Sequence, residues 1–165
     1  MSVSDAGDAE AIAEKVTEEL ELYQQLSIEM ATANAESPEA VVKGLVRLHL
    51  SWTEENPDTA RLIGRHRNEV INGPQRDRLM ASNARYFKAM KEWIDLQANT
   101  GRLPAISFNL MHAVIFAPTQ EVAKLWLAGR LKKPLADYIE PLGDAAWAGV
   151  LALPERQQPG PGPAS

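Results

Sequence analysis

The sequence predicts an all-α protein, a single helical-bundle domain of six to seven helices. Three observations carry that reading. Apolar residues recur at helical spacing along most of the 165-residue chain. No segment alternates with a two-residue period over a convincing length, and no hairpin dipeptide joins β-branched runs. Ser37-Pro38, Asn56-Pro57 and Gly73-Pro74 cut the pattern into helix-sized pieces.

The first helix follows from Ile12, Val16, Leu20, Tyr23, Leu26 and Met30, whose steps average 3.6 residues, with Glu14, Glu18, Glu19 and Glu21 between them. Asp5 or Asp8 suits its N-cap, and it should run to about Ala33. Ser37 and Pro38 read as the cap and first residue of a second helix. Val41, Leu45, Leu48 and Trp52 form one stripe on it, and Val42, Val46 and Leu50 a second beside it, so it belongs at the centre. Asn56-Pro57 opens a shorter helix with Ala60, Leu62 and Ile63.

From Pro74 to about Asn99, Leu79, Met80, Asn83, Phe87, Met90 and Ile94 make the stripe of a fourth helix, flanked by Tyr86 and Trp93. Gly101 suits a left-handed cap beyond it. Residues 105–117 form an apolar helix interrupted at Pro118, and a separate piece, Thr119–Ala128, is closed by Gly129. Pro134 opens the last helix, with Leu135, Tyr138, Ile139, Leu142, Ala146 and Val150 at helical steps and a kink or break expected at Pro141. The domain therefore spans 8–153, between a flexible start (1–7) and a disordered Pro/Gly-rich tail, 154–165.

Composition excludes several classes. Hydrophobic residues are 45% and charged residues 24%, the balance of a globular protein. The apolar stretches Leu103–Pro118 and Ala145–Leu153 are too short to span a bilayer, and no secretory signal is visible, so a cytoplasmic protein with no membrane partner is expected. With no cysteine, zinc-thiolate sites and thiol nucleophiles are excluded. The three histidines form no HExxH pair, and no GxSxG elbow, P-loop or dinucleotide fingerprint is present. Glu54 and Glu55 are adjacent, so on a helix they point apart. The expectation is no enzyme, no metal and no cofactor.

Charge is uneven. Residues 1–40 hold ten acidic residues against Lys15, a net of −9 in a chain whose total is −5. Between Arg61 and Lys91, by contrast, Arg61, Arg65, Arg67, Arg76, Arg78, Arg85, Lys88 and Lys91 face only Glu69 and Asp77. That run is either a solvated face paired with the acidic first helix or the footprint of phosphate contacts. His112, three residues after Asn109 in an apolar helix, and His49, one turn before Trp52, are either core histidines satisfied within the protein or ligand-facing groups. Wide stripes rich in aromatics and methionine can also line a cavity between helices. The candidate ligand residues are His49, Trp52, Phe87, Met90, Phe108, Met111 and His112.

From Glu10 to Trp147 the chain resembles the C-terminal sensing and dimerisation domain of the tetracycline-repressor (TetR) family of bacterial transcription regulators. The matching pieces are VVKGLVRLHLSWTEENPDTARLI (41–63), FKAMKEWIDLQANTGRLP (87–104), FAPTQEVAKLWLAGR (116–130) and LGDAAW (142–147), in that order. The resemblance implies a small, mostly apolar effector between the helices and a homodimer built as a four-helix bundle from Ile106–Ala128 and Pro134–Leu153 of each subunit. Leu110, Val114, Val122, Leu125, Leu142, Ala146 and Val150 are the expected interface residues. The family's helix-turn-helix domain has no counterpart in these residues, so DNA contact is expected only through a domain this chain does not contain. Two other expectations stand beside it: an interaction protein that pairs with an intact regulator, and a nucleic-acid binder using the basic 61–91 stretch.

Overall fold

A computed structural model describes residues 3–157, with side chains from Asp5 onward. Six helices follow one another: α1 (Val3–Ala33), α2 (Pro38–Glu55), α3 (Pro57–Ile71), α4 (Arg76–Asn99), α5 (Phe108–Leu127) and α6 (Ala136–Leu151). Among the described residues there is no strand, and no helix is long and apolar enough to cross a membrane. The protein is all-α.

α2 is the central helix that its double stripe predicts. Val41, Val42, Leu45, Val46 and Leu50 are all buried, and α2 packs against α1, α3, α5 and α6. Its start is set locally, because the Ser37 hydroxyl accepts from the Ala40 amide at 3.3 Å and Pro38 opens the first turn. The main core gathers α2 with Tyr86, Met90, Trp93 and Ile94 of α4, Met111, Ile115 and Phe116 of α5, and Ala146 and Val150 of α6. A smaller cluster, Val16, Val70 and Leu79, joins α1, α3 and α4.

Several expectations are corrected. α1 begins at Val3, so the helix starts ahead of the expected caps, Asp5 and Asp8; residues 1–2 and 158–165 lie outside the described residues. Asn56 does not cap α3 with its side chain; its amide donates back to the Trp52 carbonyl at 3.0 Å and closes α2. On α4 the inward stripe is Leu79, Ser82, Tyr86, Met90, Trp93 and Gln97, while Met80 and Phe87 are exposed. The stripe is therefore turned toward Tyr86 and Trp93.

Neither proline ends its helix. α5 runs unbroken through Pro118 and α6 through Pro141, which makes six helices. Both prolines are exposed, so water can satisfy the backbone carbonyls that their missing N–H groups leave free. On the inner side, buried Phe116 and Thr119 hold α5, and the Thr119 hydroxyl donates to the Ile115 carbonyl at 2.9 Å. Helix ends are sharp where glycine permits it. Gly101 (φ 72°) and Gly129 (φ 75°) close α4 and α5, with Arg102 N–H bonding Gln97 O and Arg130 N–H bonding Leu125 O, both at 2.9 Å.

Candidate ligand-binding site

At the junction of α1, α2, α3, α4 and α5 the helices enclose a cavity of about 150 Å³. Its walls are Leu20, Tyr23 and Gln24 of α1, His49 and Trp52 of α2, Ile63 and Arg67 of α3, Tyr86 of α4, and His112, Phe116 and Gln120 of α5. The arrangement follows from helical spacing. His49 and Trp52, like His112 and Phe116, are one turn apart and so share a face.

The rings form a continuous chain across the bundle. Tyr23 meets Trp52 at 6.2 Å and His49 at 5.6 Å, His49 meets Phe116 at 6.3 Å, and Phe116 meets His112 at 4.6 Å, measured between ring centroids. From His112 the chain passes to Tyr86 and Phe108, and from Phe108 to exposed Phe87 at 4.8 Å. Most of these contacts are edge-on, the geometry that aromatic quadrupoles favour.

Two polar elements sit in this apolar wall. The Tyr23 hydroxyl and Nδ1 of His49 share a hydrogen bond at 2.9 Å. Burial depresses the His49 pKa to about 4, so the ring is neutral at physiological pH; burial also pushes the phenols of Tyr23 and Tyr86 well above their ordinary range. His112 differs, because its buried Nδ1 has no hydrogen-bond partner. Its pKa is lowered by burial first and then by the charge of Arg67. Beneath the cavity Gln24 donates to Asn83 at 2.6 Å and accepts from the Ser82 hydroxyl, fixing α1 on α4.

A second, larger cavity of about 610 Å³ adjoins the first between α2, α3 and α5. The two share His49, Trp52, Ile63, Arg67 and Gln120. Ala60, Gly64, Ala123, Leu127 and Ala128 extend the apolar floor, and Arg61, Arg65 and Lys124 stand with Arg67 on its walls.

The seven sequence-derived ligand residues divide. His49, Trp52 and His112 line the inner cavity. Phe87 and Phe108 line a separate pocket of about 180 Å³ near the start of α5. Met90 and Met111 are fully buried packing residues and reach neither cavity, because their side chains fill the main core. Asn109 is exposed and does not accompany His112. Sequence reasoning missed Tyr23, Tyr86, Phe116 and Arg67 as wall residues. Tyr23 lay in the first stripe, Phe116 one turn beyond His112, and Arg67 in the basic run; nothing local said that they converge.

The basic run itself splits. Arg78 pairs with Glu21 of α1 through two nitrogens, at 2.7 and 3.0 Å, as pairing with the acidic first helix requires. Arg61 pairs with Asp58 and donates to the Leu127 carbonyl at the end of α5, at 3.2–3.3 Å. Glu54, weighed above as one of two adjacent carboxylates, is structural: it accepts the Leu135 and Ala136 amides and caps α6, which has no capping side chain of its own. No group of three or more His, Asp or Glu placed to hold a metal ion is found among the described residues.

The expected interface residues also divide. Leu110 is exposed, and Val114, Val122, Leu125 and Leu142 are half-buried. Ala146 and Val150 point into the protomer's own core and are not available to a partner. The outward stripe of α5 and α6 is instead Leu110, Ala113, Ala117 and Pro118 with Pro141, Ala145, Ala148 and Leu151. Between the two helices lies a groove of about 370 Å³ walled by Val114, Ala117, Pro118, Leu142 and Ala145. Compared with known proteins, the chain matches no protein-family model and no curated protein.

Proposed function

We propose that this chain is a ligand-sensing and dimerising domain of the kind found at the C-terminus of TetR-like transcription regulators, binding a small, mostly apolar effector. The observation that carries this reading is the aromatic cavity at the meeting point of five helices, with one buried histidine nitrogen left without a partner beside it. Helical pockets of this kind touch several elements at once, so occupancy can favour one arrangement of α1 and α4 over another, which is what a sensor requires. The apolar outer stripe of α5 and α6 supports a self-complementary homodimer through those helices. In this reading the chain has no catalytic role, and DNA enters only through a separate recognition domain.

The test is a thermal-shift screen of small apolar compounds, followed by tryptophan-fluorescence titration with the wild type and a His112→Phe variant. A ligand present at about 100 times its Kd should add roughly 2.7 kcal/mol to stability, and His112→Phe should weaken its binding. A chain that no compound stabilises, and that sediments as a monomer at micromolar concentration, overturns the proposal.

A further inference from the structure

Resting on the reading of these cavities as a ligand site, we infer that the ligand is an apolar acid, with a hydrocarbon or aromatic body held between the helices and a carboxylate head at the arginine-lined mouth. Four cationic side chains, Arg61, Arg65, Arg67 and Lys124, line the outer cavity, and no Asp or Glu lines either cavity. Arg61 is engaged by Asp58 and the Leu127 carbonyl. Arg65, Arg67 and Lys124 form no ion pair among the described residues.

In an acidic protein this separation has a chemical consequence. Some cations elsewhere meet carboxylates, as Arg78 meets Glu21 and Lys43 meets Asp144. At the mouth of the cavity Arg65, Arg67 and Lys124 do not, so an entering carboxylate finds positive charge there without displacing a resident anion. A cationic ligand would meet like charge there. Arg67 links the two parts, because it lines both cavities and its charge is felt at His112 on the inner wall. Beyond Arg67, the polar groups of the inner wall are Gln24, Gln120, the Tyr86 hydroxyl, the Tyr23–His49 pair and the unpartnered Nδ1 of His112, and the rest of the wall is ring and hydrocarbon surface that suits an apolar body.

The experiment uses three molecules with the same body and different heads: decanoate, decanol and decylammonium, titrated calorimetrically below their aggregation limits at low ionic strength. Decanoate should bind roughly tenfold or more tightly than decanol, the scale of a charge-assisted contact, and decylammonium more weakly than either. The preference should shrink in 0.5 M salt. Arg67→Gln combined with Arg65→Gln should abolish the preference; Arg76→Gln combined with Arg85→Gln, which removes an equal charge on α4 outside both cavities, should keep it. Equal affinity for decanoate and decanol overturns the acid-head inference and leaves the apolar-pocket reading standing. If none of the three binds and the wider screen also fails, both fall together.

Discussion

The Tyr23 hydroxyl on α1 lies 2.9 Å from Nδ1 of His49 on α2, among the described residues the one side-chain hydrogen bond joining those two helices at the wall of the aromatic cavity. Both residues are largely shut off from water, and burial holds the histidine neutral and the phenol protonated. Removing the hydroxyl leaves a buried nitrogen without a partner. Tyr23→Phe should therefore cost about 1–3 kcal/mol, more than the average hydrogen bond contributes. Urea denaturation of the two proteins measures it. An unchanged midpoint would mean that His49 finds another partner as the ring relaxes.

Acid should weaken the fold through the same histidine. In the unfolded chain His49 takes up a proton near the ordinary value of 6.5, but in the fold only near 4. Above about pH 6.5 the group therefore contributes nothing to the slope. Stability then falls as pH drops from about 6.5 towards 4 and levels off below, a loss of up to about 3 kcal/mol. His112 shifts in the same direction and adds to it. Urea midpoints between pH 7.5 and 4.5 should show a shallower decline in His49→Gln than in the wild type; parallel curves would contradict the assignment.

Glu54 holds the start of α6 across 81 residues of sequence, accepting the Leu135 amide and, at 3.3 Å, the Ala136 amide. Glu54→Ala removes both contacts and the charge at the positive helix end. A loss of roughly 1–2 kcal/mol is expected. Faster amide exchange at residues 135–138, with α2 unchanged, would locate the effect at the cap.

The proposed dimer face makes a separate demand. Ala117 and Ala145 are exposed on α5 and α6 beside the apolar groove. Ala117→Arg with Ala145→Glu leaves the protomer core untouched, so helix content should be retained. Two long charged side chains would, however, be driven into any α5–α6 interface. Sedimentation should show the wild type as a dimer and the variant as a monomer. A wild type that is already monomeric at micromolar concentration would remove the interface from the proposal.

Much of the fold was legible because it is written locally. The double stripe of α2, the Ser37 cap and the glycines at 101 and 129 depend on residues within a few positions of one another, and the structure reproduces each. The prolines misled because their cost depends on exposure. Pro118 and Pro141 face outward, so the helices continue, a fact that no local pattern contains. Met90 and Met111 misled for a related reason: a methionine on a helical stripe looks the same whether the stripe meets a cavity or closed packing.

By itself, then, the sequence determined the class, the order of the helices and the positions of most of their ends, since backbone propensity and hydrophobic period act over one or two turns. Tertiary structure alone decided which side chains face one another: Tyr23 with His49, 26 residues away, Glu54 with Leu135, and Arg67 near His112. The physical reason is that a period fixes which face of a helix is buried. The rotation and depth at which that face meets its neighbours come only from packing the helices together around the main core and the smaller cluster beside it.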